Sequence, residues 1–427
     1  MPSRRTILST TATTLPPVLM GCLGRRGDLS SDDSTSGDGT DDGPDDDGKR
    51  TGDDTGGDGN TGEDDPTKPD VNPPEDTTAT TQFQYTAGNA GVADGPAPDD
   101  DAVQWQTRLS PIEGGLSVAD GQVLVTAGNL VALDADDGSK RWETDVGHSL
   151  EAPPAVTSDT AYVTAWNGGP DTDRGVAAVD LADGSLRWRA IADVDVSTAP
   201  TLADGIVYVG GSLNSEAVIA LDATDGTERW RFRAGEYATT PAVADGTVFV
   251  GGGSEHVVYA LEAATGEERW QVETDGRVWG APTVVDDVVS VGSRDGTVYA
   301  LGVEDGQERW TASVGDDVPE SIAATGERLY VPTTEALVAL DTAGTEVWST
   351  ESGSRVNAPS VAGDAVVVTD RSAASCLDED GESRWTYAFE DRQIDDMVFG
   401  GTRSPPGVSD GTVYVASHGG DVTALGG

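Results

Sequence analysis

From about residue 102 onward, apolar residues come in short runs of alternating or continuous character, and each run is closed by a turn signal. The unit is clearest between residues 199 and 230. Ala199-Pro-Thr-Leu-Ala-Asp-Gly205 is followed by Ile206-Val-Tyr-Val209, then Ala217-Val-Ile-Ala-Leu221, then Thr227-Glu-Arg-Trp230. That is four short strands with no helical periodicity. The first turn is Asp-Gly, whose residues both tolerate positive φ, a strong hairpin signal. It recurs at Asp120-Gly121, Asp245-Gly246 and Asp410-Gly411. The turn between the third and fourth strands is again acidic-Gly, as at Asp137-Gly138, Asp183-Gly184, Asp225-Gly226 and Asp305-Gly306. A repeat of roughly 40 residues marks stacked supersecondary units, none able to bury its apolar face alone. Four strands per unit predict the blades of an all-β propeller.

The blade count follows from the tryptophans that end the units: Trp142, Trp188, Trp230, Trp270, Trp310, Trp348 and Trp385. After the seventh blade the chain supplies Val408–Val415 and Asp421–Leu425 and then stops short of a fourth strand. The missing strand is available at the other end, in Ala102-Val-Gln-Trp105-Gln-Thr107. The expected fold is therefore an eight-bladed propeller of four-stranded blades, closed by an N-terminal strand, with Trp105 as the eighth docking tryptophan.

Ala-x-Asp-x-x-(Thr/Asp)-Gly-x-x-x-Trp, seen as Ala220–Trp230 and Ala260–Trp270, resembles the tryptophan-docking repeat of the pyrroloquinoline-quinone-type (PQQ-like, BamB-like) propellers. The resemblance covers about residues 102–427. It implies that each Trp packs on the neighbouring blade and holds the ring together. Its functional reach is small, because that superfamily spans quinoprotein dehydrogenases, the BamB lipoprotein and many propellers without an assigned role. A dehydrogenase of this kind implies PQQ and Ca²⁺ as cofactors, held by a vicinal cysteine pair, a Glu/Asn/Asp set and a catalytic Asp. Here Cys376 stands alone, at the position that other repeats fill with Ala. No His-x-x-x-His, Cys-x-x-Cys or Gly-x-Ser-x-Gly pattern is present.

Charge changes the picture more than composition does. The formal net charge is −50, and residues 101–427 alone hold 55 acidic and 19 basic residues. Such a surface repels nucleic acid and anionic lipid, which excludes both as direct partners. Lysine is nearly absent, with three residues against 23 arginines. An acidic, lysine-poor surface resembles proteins of salt-loving archaea, whose carboxylates are screened by hydrated cations. Ser3-Arg4-Arg5 before a modest apolar run resembles a twin-arginine export signal, and Leu19-Met-Gly-Cys22 resembles a lipobox with Cys22 as the lipidated residue. Three parts are expected: a signal peptide at 1–21, a disordered Asp/Gly/Thr-rich linker at 22–100, and the propeller at 101–427. The linker carries too little apolar surface to offset its ordering entropy. The expected location is the outer face of the cytoplasmic membrane, reached through the lipid anchor only, with the propeller a monomer.

Departures from the repeat are the candidate sites. Two insertions fall in loops of one face: Trp166 to Gly175 in blade two, and Phe389 to Phe399 between blades seven and eight. Asp171, Asp173, Asp395 and Asp396 offer oxygen ligands of the kind that hold Ca²⁺. A second candidate is the rim where inner strands begin, at Glu151, Glu320, Asn357 and Trp279, with Trp166 nearby; a Trp at a channel mouth stacks a ring or anchors a peptide. The sequence thus favours a binding or scaffolding module for a protein partner or small ligand at the loop face. The alternatives are a PQQ/Ca-dependent quinoprotein oxidoreductase and a sugar- or polymer-binding surface module.

The charge reading has a direct test. Dilution from molar KCl should unfold the propeller, and an unchanged circular dichroism spectrum in low salt would sink the halophilic reading.

Overall fold

The structure, a computed structural model, describes residues 82–426 except 167–173, 213–216 and 395–396, and no side chains at 394 or 397–399. Eight four-stranded antiparallel sheets follow in chain order, and a small two-stranded hairpin, Arg392–Ile394 with Met397–Phe399, lies between the last two. Blade 3 is representative, with strands Thr201–Ala203, Ile206–Gly210, Ala217–Asp222 and Glu228–Arg233 ordered from the axis outward. Blade 8 combines Gly407–Ser409, Thr412–Ala416 and Asp421–Leu425 with Val103–Arg108 as its outer strand. Val103 pairs with Leu425 and Arg108 with Asp421, and this junction closes the ring. A forked ion pair, Arg108 Nε to Asp421 Oδ1 at 2.7 Å and Nη2 to Oδ2 at 3.1 Å, fastens its end.

The turns are as the Asp-Gly pairs require. Asp120 and Gly121 both sit at positive φ (48° and 65°), as do Asp245 and Gly246 (47° and 68°), the conformation of a two-residue hairpin turn. The third strand of each blade is buried on both faces, which explains runs such as Ala217-Val-Ile-Ala-Leu221. Core is therefore shared between neighbours rather than held inside one blade. Tyr208, Val218 and Trp230 of blade 3 pack with Val248, Val250 and Leu261 of blade 4.

Each outer-strand Trp reaches across to the next blade. Trp230 Nε1 donates to Ala263 O at 2.8 Å, Trp142 to Leu181 O at 2.9 Å, and Trp105 of the closing strand to Ala135 O at 2.8 Å. Trp188, Trp270, Trp310 and Trp348 repeat the contact at 3.1, 3.0, 2.9 and 2.7 Å. The receiving turn must present a bare backbone. A Cβ on Gly266 would lie 2.7 Å from the Trp230 ring, and Gly266 also sits at φ 72°. Opposite each Trp on the third strand stands a small residue, Ala220 for Trp230 and Cys376 for Trp385. Cys376 is thus a buried spacer, its thiol pushed up to about 11 by burial.

Trp385 exposes the special position of blade 8. Its third-to-fourth-strand turn would be the covalent break in the ring, and the carbonyl comes instead from Pro98, at 2.9 Å. This corrects the linker expectation at its C-terminal end: residues 82–100 belong to the propeller. Residues 82–91 lie in the central channel and pass from blade to blade around it, and residues 93–98 lead outward between blades 7 and 8. The innermost strands present unpaired backbone edges to the channel, and this segment bonds to those of blades 3 to 8. Val243 N–H donates to Ala87 O (2.6 Å), Val284 N–H to Gly88 O (2.7 Å), Ala324 N–H to Ala90 O (2.8 Å) and Val361 N–H to Gly91 O (2.7 Å). Side-chain amides complete the set. Gln82 Oε1 accepts from Leu202 N–H at 2.7 Å, and Asn89 Nδ2 donates to Pro241 O and Pro282 O at 3.1 and 3.2 Å. Gly91 passes so close to blade 6 that a Cβ would meet that of Ala323 at 2.6 Å. Tyr85 OH accepts from Val408 N–H at 2.9 Å and lies 3.0 Å from Ser360 Oγ.

The inner strands also alternate around the ring. At one register position, odd blades carry Ser117, Thr201, Thr283 and Ser360, and even blades carry Ala155, Ala242, Ala323 and Gly407. Each odd-blade hydroxyl donates to a carbonyl of the following blade: Pro154 (2.7 Å), Pro241 (2.7 Å), Ile322 (2.7 Å) and Pro406 (2.8 Å). The ring is thus stapled in four two-blade steps at its inner edge and in eight one-blade steps at its outer edge.

Two truncations of this scheme separate its parts. Trp230→Ala removes a buried ring and its hydrogen bond, and should cost about 3–5 kcal/mol in urea unfolding. Deleting Ala102–Arg108 removes Trp105 and an entire strand, and should lower the melting temperature far more; a deletion variant that melts with the parent in matched salt would show that closure is not what holds the ring.

Candidate functional site

The links between blades and the second-to-third-strand loops gather on the face where the inner strands begin. There the axial segment does not reach the rim, and a vestibule of about 580 Å³ opens above it with Phe83 in its floor. Its wall is assembled from separate links: Glu151 before blade 2, Tyr237 before blade 4, Arg277 and Trp279 before blade 5, Glu320 before blade 6, and Arg403 before blade 8. An adjoining depression of about 520 Å³ shares Glu320, Arg355 and Arg403 and extends to Asn357 and Arg371. Both volumes lie in the ~300–1,000 Å³ range of small-molecule sites.

Two rings stand open at this rim. Tyr237 is 43% and Trp279 39% exposed, large values for aromatic residues in a protein whose other tryptophans dock blades or lie partly buried. One face of the Trp279 ring is covered by Arg294, whose guanidinium carbon lies 4.4 Å from the ring centroid. Arg294 Nε in turn donates to Asp317 Oδ2 at 2.7 Å. The indole is therefore braced from behind by a cation–π contact and an ion pair.

Charge of both signs meets here. Glu320 is paired with Arg355 Nη2. Burial raises its carboxyl above the ordinary glutamate value, and Arg355 opposes that rise. Burial likewise raises Glu151, with the indole of Trp166 and the more distant Arg403 working against it. The Trp166 N–H is buried without a closed hydrogen bond among the described residues. Arg277, Arg371 and Arg403 close no salt bridge among the described residues. By contrast, the arginine before the blade tryptophan is clamped to a carboxylate of its own blade, as in Arg141–Asp134 at 2.7 Å, Arg187–Asp180 at 2.8 Å and Arg229–Asp222 at 2.6 Å.

The candidate residues of the sequence fall into three groups. Glu151, Glu320 and Trp279 line the vestibule, and Trp166 stands beside Glu151. Asn357 is a fastener as well as a lining residue: it is buried, and its Nδ2 donates to Thr369 Oγ1 at 3.0 Å. Asp171, Asp173, Asp395 and Asp396, offered as metal ligands, and Cys22, offered as the lipidation site, lie outside the described residues. Among the described residues no group of three or more His, Cys, Asp or Glu is arranged to hold a metal ion. Sequence reasoning missed Tyr237, the floor residue Phe83, and the arginines. Their signal was present: Arg277, Arg355 and Arg403 each stand a few residues before an inner strand, Arg277 in the link that holds Trp279 and Arg355 in the link that holds Asn357.

Comparison with known proteins bears on the fold. A profile of the family described as outer membrane protein assembly factor BamB matches residues 90–213, 170–240, 214–319 and 294–426. No curated relative matches the chain. BamB from Moraxella catarrhalis superposes with a TM-score of 0.62 at 16% identity, covering 77% of this chain and 100% of that one. A quinohemoprotein alcohol dehydrogenase from Comamonas testosteroni gives 0.66 at 14% identity, over 82% and 80% of the two chains. The computationally designed Ika8 protein gives 0.61 at 14% identity, over 76% and 99%. An assembly factor, a dehydrogenase and a design share this ring, so at these identities the likeness is one of fold.

The Glu320–Arg355 pair is open to titration. Arg355→Ala removes the one group that holds the Glu320 carboxyl down, and its pKa should rise further above the ordinary glutamate value in carboxyl ¹³C NMR. An unchanged titration would mean that Arg355 does not govern this carboxylate.

Proposed function

The chain belongs to the propeller family described as outer membrane protein assembly factor BamB, and we propose that it works as a binding module whose ligand or partner engages the vestibule face. The observation that carries this reading is the braced, half-exposed Trp279, which lines the same vestibule as Arg277 and Arg403, two arginines that close no salt bridge among the described residues. An aromatic anchor held rigid before binding loses little freedom on association, and such anchors dominate binding energies. Exposed aromatic rings gathered at one opening and rimmed by polar groups mark a binding surface. The twin-arginine pattern at Arg4-Arg5 and the lipobox ending at Cys22 support an exported, lipid-anchored propeller held at the outer face of the cytoplasmic membrane. A tether of acidic, self-repelling residues suits a module that must stand away from that surface.

An oxidoreductase is the reading that the dehydrogenase likeness brings with it, and the residues do not fit its cofactor. The chain has two cysteines, Cys22 and Cys376. Cys376 is fully buried opposite Trp385, with no vicinal partner and no place in the vestibule wall. The described residues supply no carboxylate cluster for Ca²⁺ there either.

Titration of the folded protein with PQQ, with and without Ca²⁺, decides between the two. The module reading expects no Ca²⁺-dependent saturable binding and no dye-linked oxidation of primary alcohols. One-to-one binding that requires Ca²⁺ and supports such turnover would establish the enzyme and overturn the module.

A further inference from the structure

The chemistry of the vestibule wall narrows the ligand class, on the premise that this face binds at all. Three kinds of group meet there. Tyr237 and Trp279 offer open ring faces from neighbouring links, and the back of Trp279 is already taken by Arg294. Arg277 and Arg403 bring guanidinium groups that close no salt bridge among the described residues, whereas arginines that precede a blade tryptophan, such as Arg141 and Arg229, are paired along their own blades. Thr240 and Ser321 complete the set. Thr240 Oγ1 accepts from Ala199 N–H at 3.2 Å and Ser321 Oγ from Ala281 N–H at 2.7 Å. Each hydroxyl is thereby fixed in place and keeps its own proton to donate.

These groups demand a ligand with apolar ring faces, several hydroxyls and a negative charge of planar, two-oxygen geometry. Ring faces without charge would leave the arginines unused. A bare oxoanion would leave the aromatic rings unused, and would fill little of a cavity of about 580 Å³. A flat aromatic acid would leave the fixed hydroxyls and Glu151 without partners. We infer that the vestibule binds an acidic sugar, a hexuronate unit of a glycan, with its ring stacked on Trp279 or Tyr237 and its carboxylate taken by Arg277 or Arg403. Guanidinium recognises carboxylate through two parallel N–H···O bonds, so the contact is directional and persists at short range in salt that screens longer interactions. Glu151 and Glu320 sit where sugar hydroxyls need acceptors, and they disfavour a second carboxylate at their side of the rim.

The test is calorimetric titration of the full chain, in salt that keeps it folded, with trigalacturonate, maltotriose and inorganic phosphate as probes. Trigalacturonate should bind one-to-one and change Trp fluorescence, with maltotriose at least tenfold weaker. Trp279→Ala and the double variant Arg277→Gln/Arg403→Gln should each weaken trigalacturonate at least tenfold, and the double variant should bind trigalacturonate and maltotriose alike. Melting temperatures equal to the parent's would show that these surface variants are folded. Equal binding of maltotriose by the parent overturns the acidic specificity. Displacement of trigalacturonate by equimolar phosphate reduces the site to a simple oxoanion site and also overturns it. Absence of trigalacturonate binding overturns the inference alone, since the module reading stands or falls on the separate Ca²⁺ and PQQ titration.

Discussion

The ring depends on one contact made seven times, an indole N–H given to a carbonyl of the next blade over a glycine that leaves room for the ring, and once more at Trp385, where Pro98 supplies the carbonyl. Neither partner is useful within its own blade. The sheet that carries the Trp cannot bury it, and the turn that receives it has backbone groups to satisfy. Stability is therefore a property of neighbours. A blade removed from the ring would expose its indole on one side and an unfilled turn on the other. The small residue opposite each Trp, Ala in most blades and Cys376 in one, follows from the same need for space.

That dependence also builds the vestibule. The docking contacts lie at the outer edge and the hydroxyl staples at the inner edge, so the links between blades take part mainly through the residues next to their inner strands, as Pro154, Pro241 and Pro406 do. The links are short, held at both ends, and brought together from eight directions on one face. Such positions tolerate residues that a blade interior would not, including exposed rings and arginines that close no salt bridge among the described residues. A rigid frame that presents variable side chains around one opening separates the requirements of folding from those of recognition.

Most of the frame was legible in the sequence because its signals are local and repeated. Asp-Gly turns, period-two strands and a terminal Trp at fixed spacing recur often enough that an odd copy changes nothing, and the incomplete last blade pointed to Trp105. The axial segment was not legible, for a physical reason. Gln82, Gln84 and Asn89 are ordered by hydrogen bonds to strand edges rather than by burying apolar area, so a reading based on hydropathy places them in the linker. The vestibule was half legible. Glu151, Trp279 and Glu320 broke the repeat and drew notice singly, but the arginines acquired meaning only once the ring set the links side by side and the salt bridges elsewhere showed which arginines were already employed.

The axial segment has a consequence for how the molecule comes into being. On a ribosome, residues 82–98 emerge before any blade, yet their partners lie in blades 3 to 8, and the closing strand waits for Asp421–Leu425. Throughout synthesis of the blades, the head of the propeller must stay extended and unpaired without sticking to itself or to other chains. A core-like apolar plug would be a hazard during that interval. A segment dominated by glutamine, alanine, glycine and asparagine, with Phe83 and Tyr85 its only aromatic rings, is at ease in water until the edges it matches exist, so the polarity that hides it from a hydropathy plot is what lets it wait.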